Sequence, residues 1–244
     1  MTKYTKQVEQ KVGGKTLTVM IPHGTPRAHI ADTAATVLVA AREALDKALE
    51  MVNRPHGLEK SEWHLAHRYF LTPKDQPIPD KSLETIRKVI AMTRDGLKGD
   101  MVLKTSEKET DSRGEKRVHG RVTWKAGDEY KEAKHSYQSF VKDLTLDDSG
   151  RLKRRGAIHV ESTRLRSKWG MKSLIHEATH KYAGTIDYRY FEDNGVTAEP
   201  PLKDPARALI NADSYAWFVT MLDGQSDAGR HLPVGLDLPP GWST

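Results

Sequence analysis

The sequence predicts an α+β fold in which helices dominate and the strands are short. Segments 29–52, 80–96 and 204–222 carry apolar residues at the three-to-four-residue spacing of a helix face. Segment 17–21 instead alternates apolar and polar residues, as a half-buried strand does. Hydrophobic residues make up 37% of the 244 residues, which is enough to bury a core in a chain of this length.

The first elements are a β-hairpin over residues 4–21 and a helix over residues 29–52. Gly13-Gly14 suits the tight turn of the hairpin, because glycine tolerates positive φ. A short helix is predicted over residues 61–71, closed by Pro73. A third helix is predicted to start at a cap formed by Asp80 and to end at Gly96.

The second half of the chain continues this pattern. Residues 101–124 predict a second hairpin around a charged turn, and residues 157–160 a short strand. Residues 168–183 predict a helix that ends at Gly184. Asp204-Pro205 predicts the start of one last long helix reaching Leu222, because Asp favours the N-cap and Pro the first helical position.

Composition excludes several classes of protein. The chain has no cysteine, which rules out disulfide scaffolds, thiol catalysis and cysteine-ligated metals. The longest apolar run is Val37–Ala41, too short to span a bilayer, so no membrane partner is expected. The polar N-terminus lacks the apolar core of a secretory signal. We therefore expect synthesis in the cytoplasm, followed by function there or by export through a specialised secretion system.

We expect three regions along the chain: a hairpin appendage over residues 1–24, one main domain over residues 25–224, and an extended Pro/Gly-rich tail over residues 225–244. The net charge of +6 is concentrated in segment 151–168, which holds seven basic residues against one acidic residue. Without interleaved aromatic residues, this segment is interpreted as a solvated basic surface, and a nucleic-acid partner is not expected. An anion-binding patch is the alternative.

The pattern that carries chemistry is His176-Glu177-Ala178-Thr179-His180, an H-E-x-x-H motif inside a predicted helix. Residues four apart differ by about 400° around the helix axis, so both imidazoles leave one face and can share one Zn²⁺ ion. Glu177 lies beside that face, where it can take a proton from the attacking water. Chance predicts only about 0.03 such motifs in a chain of this composition.

A catalytic zinc ion usually has three protein ligands, so a third ligand should follow this helix. Asp187 stands seven residues after His180, and Gly184 between them allows the chain to turn back toward the metal. Tyr190 follows three residues later, where its phenol could stabilise the oxyanion that forms on the substrate carbonyl.

These residues resemble a known family. HEATH followed by GTIDYRY resembles the signature H-E-x-x-H … G-T-x-D-x-x-Y-G of the aspzincin metalloendopeptidases (the deuterolysin and peptidyl-Lys group), and DPARALINADSYAWF resembles the helix that follows it there. The resemblance is clear over residues 165–222. It implies one zinc ion held by His176, His180 and Asp187, with Glu177 as general base and Tyr190 as transition-state donor. It also places Thr185 and Asp213 beside the site, as substrate-pocket residues or as partners of the metal ligands.

Two departures from the family pattern affect the expected function. Phe191 replaces the glycine that follows the tyrosine, which bears on where Tyr190 is placed. Some members cleave before lysine with two acidic pocket residues; one matches Asp213, but the other falls on Ala216. A buried carboxylate needs a partner, and Asp213 could find one in a ligand imidazole or in a substrate lysine. We therefore expect at most a modest preference for lysine at P1′.

The function predicted from the sequence is that of a zinc-dependent endopeptidase acting on a protein or peptide. One biological role compatible with this function is that of a bacterial secreted effector or toxin. Two alternatives stay open. One is a zinc-dependent amide hydrolase that modifies protein side chains. The other is a non-catalytic, zinc-stabilised binding module that uses the basic segment. The sequence leaves the natural substrate and the oligomeric state open.

Overall fold

The computed structural model describes residues 4–22, 29–106, 120–122, 137–145, 156–192 and 194–223. Within these ranges the chain forms a five-stranded mixed sheet, a two-stranded ribbon and a set of helices. The predicted α+β class is confirmed.

The main sheet contains the first five strands in the order β1-β2-β3-β5-β4. Their bounds are β1 Tyr4–Val12, β2 Lys15–Pro22, β3 Met101–Ser106, β4 Gly120–Val122 and β5 Ile158–Glu161. Strands β2, β3 and β5 run parallel to one another, whereas β1 and β4 pair antiparallel to their neighbours at the two edges. The ribbon pairs β6 Tyr190–Phe191 with β7 Ala198–Glu199.

The described helices are α1 Ile30–Val52, α2 Trp63–Phe70, α3 Asp80–Lys98, α4 Tyr137–Thr145, α5 Ser162–Leu165, α6 Gly170–Ala183, α7 Pro205–Ala208 and α8 Ala212–Leu222. Helix α6 contacts α1, α3 and α8, so it is the central helix of the fold. Almost all of its residues are buried for this reason, polar ones included. Among the described residues, no helix combines the length and the apolar character needed to cross a bilayer.

The first hairpin forms as predicted, with β1 and β2 joined by the turn at Gly13-Gly14. It does not stand apart as the expected appendage, because β2 also pairs with β3. The apolar side chains of β2 are buried in the same core as those of α1. The first strands are therefore part of the sheet that carries the rest of the fold.

The second predicted hairpin, over residues 101–124, is wrong. Strands β3 and β4 do not pair with each other, because β5 lies between them and pairs with both. A local alternation of apolar residues cannot reveal that a strand more than thirty residues later inserts into the pair. The charged turn of that hairpin falls on residues 107–119, outside the described residues.

Helix α3 differs from the prediction at both ends. Pro79 is the N-cap and Asp80 is the first helical residue, so Asp80 does not cap the helix. The helix also continues past Gly96 to Lys98. A Cβ atom at Gly96 would lie 2.2 Å from the ring of Tyr182 on α6. This glycine is therefore explained by the close approach of α3 and α6 and not by a helix end.

The predicted long helix after Asp204 is instead two helices. Asp204 caps α7 as predicted, accepting a hydrogen bond from the Ala206 N–H at 2.9 Å. The helix then breaks, and α8 begins after Asn211. Asn211 forms an isolated bridge with Ile186, and this pairing replaces the helical hydrogen bonds at the break. The tail over residues 225–244 lies outside the described residues.

Candidate metal centre

Helix α6 places the two histidines of the motif side by side in the protein interior. His176 and His180 are 6% and 3% exposed, and their Nε2 atoms lie 3.2 Å apart. Gly184 ends the helix at φ 75°, a left-handed conformation that glycine adopts readily. The motif thus lies in the last two turns of a helix, directly before a sharp change of direction.

Asp187 returns to the two histidines after this turn. Its Oδ1 atom lies 3.0 Å from Nε2 of His176 and 3.1 Å from Nε2 of His180. Within the described ranges, these three residues form the one cluster of such side chains that could hold a metal ion. Asp187 keeps 37% of its side chain exposed, so the cluster opens to solvent on the Asp187 side.

The hydrogen bonds behind the two imidazoles fix which ring nitrogen carries hydrogen. Nδ1 of His176 lies 3.1 Å from Oδ1 of Asp213, and Nδ1 of His180 lies 2.7 Å from the carbonyl oxygen of Thr185. A carboxylate and a carbonyl can only accept, so each Nδ1 donates. In the neutral rings both Nε2 atoms then present lone pairs, and these face each other and the carboxylate of Asp187.

Three electron-pair donors that meet in this way need a positive charge between them, supplied either by a proton on an imidazole or by a metal ion. Four ligands about 2.0–2.1 Å from one zinc ion in tetrahedral geometry stand about 3.3 Å apart. The observed separations of 3.0–3.2 Å are close to this value. Two imidazoles and one carboxylate are also a common ligand set for catalytic zinc. The residues present therefore fit a zinc ion.

The pKa values express the same demand for positive charge. Burial by itself would lower the pKa of His176, but Asp187, Asp213 and Glu177 outweigh it and raise that pKa to about 10. Burial would likewise raise the pKa of Asp187, but the two imidazoles hold it well below its usual range. A metal ion that binds here must therefore displace a proton from His176, which makes metal binding weaker at low pH.

Asp213 lies behind His176 and is fully buried. Its Oδ1 atom accepts the His176 bond and also a contact from Nζ of Lys172 at 2.6 Å, while Oδ2 accepts the Phe191 N–H at 2.7 Å. Burial would raise the pKa of Asp213, but Lys172 and His176 outweigh it and lower the pKa to about 2. The sequence analysis expected Asp213 to pair with a ligand imidazole or with a substrate lysine. In the structure it contacts the imidazole of His176.

Glu177 follows His176 on α6 and is 4% exposed. Its negative charge contributes to raising the pKa of both His176 and Tyr190. Glu177 is not part of the His176, His180 and Asp187 cluster that could hold a metal ion.

Tyr190 stacks on the ring of His176, with ring centroids 5.7 Å apart and planes 16° from parallel. Its hydroxyl bonds to the Asp187 carboxylate, and partial burial together with the nearby acids raises its pKa above the ordinary value. The phenol therefore keeps its proton at neutral pH and can donate a hydrogen bond. At 55% exposure, Tyr190 is also open to an incoming molecule.

Phe191 and Tyr190 lie on opposite faces of the short strand β6. Because successive side chains in a strand point to opposite faces, Phe191 turns inward where Tyr190 turns outward. It is 7% exposed and packs edge-to-face on Tyr69, with ring centroids 5.0 Å apart. Its backbone N–H is the group that Asp213 holds.

Thr185 is fully buried and lies behind His180. Its carbonyl oxygen accepts the His180 Nδ1–H, and its hydroxyl contacts that of Thr179 at 2.7 Å. These contacts place Thr185 against His180, one of the residues that the sequence predicts to be a metal ligand.

Two residues around the site were missed from the sequence. Lys172 stands four residues before His176 on α6, and that spacing alone places both on one helix face. Asn211 lies within DPARALINADSYAWF, and the sequence pattern assigns it no role. Its contact with the turn that carries Asp187 depends on the helix break, which the sequence pattern did not indicate.

The basic segment is described only from residue 156 onward. There, the guanidinium of Arg164 and the ammonium of Lys168 lie 5.0 and 5.6 Å from the centre of a Trp169 ring. This indole is buried against Trp217. The described part of the segment therefore packs on the core through cation–π contacts.

Comparison with known proteins finds a similar fold but no protein of similar sequence. No protein-family model matches the chain, and no curated protein matches its sequence. Among solved structures, a zinc peptidase from Grifola frondosa aligns with a TM-score of 0.52 and 12% sequence identity, over 83% of this chain and 99% of that one. At this identity the likeness concerns the fold alone. This chain therefore has the fold of a zinc peptidase.

Proposed function

We propose that this chain is a zinc-dependent endopeptidase. The observation that carries the proposal is the convergence of two Nε2 lone pairs and one carboxylate oxygen within 3.0–3.2 Å of one another. The fold shared with a zinc peptidase supports it, because that peptidase aligns over nearly its whole length. Zinc peptidases act on peptide bonds, so the substrate class we propose is a protein or a peptide.

In this proposal His176, His180 and Asp187 hold one zinc ion. Zinc bound in such a site supplies Lewis-acid activation of a water molecule and of the substrate carbonyl. Glu177 accepts a proton from the water as its oxygen attacks the carbonyl carbon, and later passes that proton to the leaving amine nitrogen. Tyr190 donates a hydrogen bond from its phenolic hydroxyl to the carbonyl oxygen as that oxygen gains negative charge.

The rival enzyme class, hydrolysis of side-chain amides, differs in its products. Cleavage of a backbone bond gives two fragments whose masses sum to that of the substrate plus one water. Hydrolysis of a side-chain amide leaves the chain intact and releases ammonia. Mass spectrometry of casein treated with zinc-loaded protein is expected to show new fragments. An uncleaved substrate in which side-chain amides have become carboxylic acids would instead support the rival class.

Replacing Tyr190 by Phe is expected to lower kcat by about 10²–10³-fold with little change in KM, because one oxyanion donor is lost. Steady-state kinetics on a fluorogenic peptide measures both constants. Tyr188→Phe is the matched control, since it removes a phenolic hydroxyl from the same loop at a residue whose ring lies against Arg207. A Tyr190→Phe enzyme with full kcat would remove this role from Tyr190.

We propose that cleavage shows little preference for lysine at P1′. The chain's own Lys172 already lies 2.6 Å from Asp213, and both side chains are buried. A substrate ammonium would meet a carboxylate that is neutralised already, and Ala216 offers it no second charge. Mapping the cut sites in a mixed peptide library tests this directly. Cuts confined to bonds that precede lysine would show a dedicated lysine pocket.

A further inference from the structure

The chain segment that carries Asp187 and Tyr190 is tied to the start of helix α8 by its backbone. We call residues 186–191 the metal loop. The Ile186 N–H donates to the Ile210 carbonyl at 2.9 Å, and the Ala212 N–H donates to the Ile186 carbonyl at 3.0 Å. These two bonds fix the first residue of the loop, directly before Asp187.

The next part of the metal loop is held by one side chain. Oδ1 of Asn211 accepts the Tyr188 N–H at 2.9 Å and the Arg189 N–H at 3.1 Å. Nδ2 of Asn211 donates to the Ser214 hydroxyl at 3.0 Å, which fixes the orientation of the amide. Asn211 is fully buried, so little water competes for these bonds. The two N–H groups belong to the peptides between Asp187 and Tyr190.

The position of Asn211 makes this arrangement unusual. It is the N-cap residue of α8, where an asparagine side chain ordinarily accepts a hydrogen bond from its own helix. Here the side chain makes no capping bond. Asp204 at the N-cap of α7 does cap its helix. The Oδ1 atom of Asn211 therefore accepts hydrogen bonds from the metal loop and none from the first turn of α8.

We propose that Asn211 is a positioning residue for the metal centre: it holds two of the three peptides that join Asp187 to Tyr190, so that the carboxylate and the phenol keep their places around the ion. This inference rests on the proposed zinc site. Asp213 holds the loop at its other end by accepting the Phe191 N–H, so residues at the start of α8 bind both ends of the loop and its middle.

Two variants test this proposal through metal binding. Asn211→Ser supplies a hydroxyl that can cap α8, but it is too short to reach both loop N–H groups. We expect the variant to fold, to bind zinc about 10–100-fold more weakly, and to show an altered visible spectrum with cobalt(II) in place of zinc. Asn211→Asp keeps the acceptor oxygen and is expected to keep the cobalt spectrum of the unsubstituted protein.

The matched control is Asp204→Ser, which also exchanges one capping residue for another, at a side chain whose own bonds go to Ala206 and Arg207. It should leave zinc affinity and cobalt spectrum unchanged. An Asn211→Ser protein with the unsubstituted affinity and spectrum would overturn the proposal, as would an Asn211→Asp protein with a changed spectrum. If Asn211→Ser does not fold, the Asn211→Asp spectrum decides. Failure of the unsubstituted protein to bind zinc would instead overturn the proposed function.

Discussion

Replacing Glu177 by Gln is expected to lower kcat by roughly 10³–10⁴-fold while the protein still binds zinc. The effect lies at the upper end of the range for general acid–base catalysis, because one carboxylate serves both proton transfers. Glutamine has nearly the same shape and cannot accept and release the proton. The measurement is peptide hydrolysis together with the zinc content of the same sample.

Glu84→Gln is the matched control for this variant, because it removes an exposed carboxylate that pairs with Lys88 on the surface of α3. Its activity should equal that of the unsubstituted protein. If Glu177→Gln kept its zinc and cleaved peptides at the normal rate, Glu177 would not be the base. If it lost both zinc and activity, its role would be structural.

Replacing Asp187 by Ala is expected to lower zinc affinity by more than about 100-fold, which exceeds the 10–100-fold typical for partners outside the ligand set. One of three protein ligands is lost, and the two facing Nε2 atoms lose the carboxylate that lies 3.0–3.1 Å from each. Competition with a chromophoric chelator measures the affinity. Hydrolysis should fall with metal occupancy and recover in part at high zinc concentration.

The partial exposure of Asp187 makes this variant interpretable, since a half-open side chain can be removed without leaving a closed cavity. Far-ultraviolet circular dichroism of the metal-free variant should match that of the unsubstituted protein. An Asp187→Ala protein that holds one zinc ion at the original affinity would show that another group completes the metal site.

Local sequence signals predicted the elements around the motif well. Helix α6 and its end at Gly184 follow from spacing and from the conformational freedom of glycine, both of which act within a few residues. The sheet order was not predictable in this way, because β5 pairs with strands far away in the chain. The break before α8 was also hidden. Its apolar residues Leu209 and Ile210 continue the helical pattern, while the backbone there pairs with Ile186.

The same limit explains what could be predicted at the metal centre. The structure brings His176, His180 and Asp187 together. Their spacing predicts this, because all three lie within twelve residues that cover the end of helix α6 and the turn after it. Lys172 and Asn211 reach the site through α6–α8 packing and the helix break. Both are ordinary residues in a linear pattern, and only the tertiary contacts show where their polar atoms go.

Titrating metal-free protein with zinc while following peptide cleavage tests whether one zinc ion, held by His176, His180 and Asp187, makes this chain a peptidase. Activity is expected to be absent without metal, to rise in proportion to added zinc and to stop rising at about one equivalent. Cleavage by the metal-free protein, or zinc binding at one equivalent that never brings cleavage, would contradict this expectation.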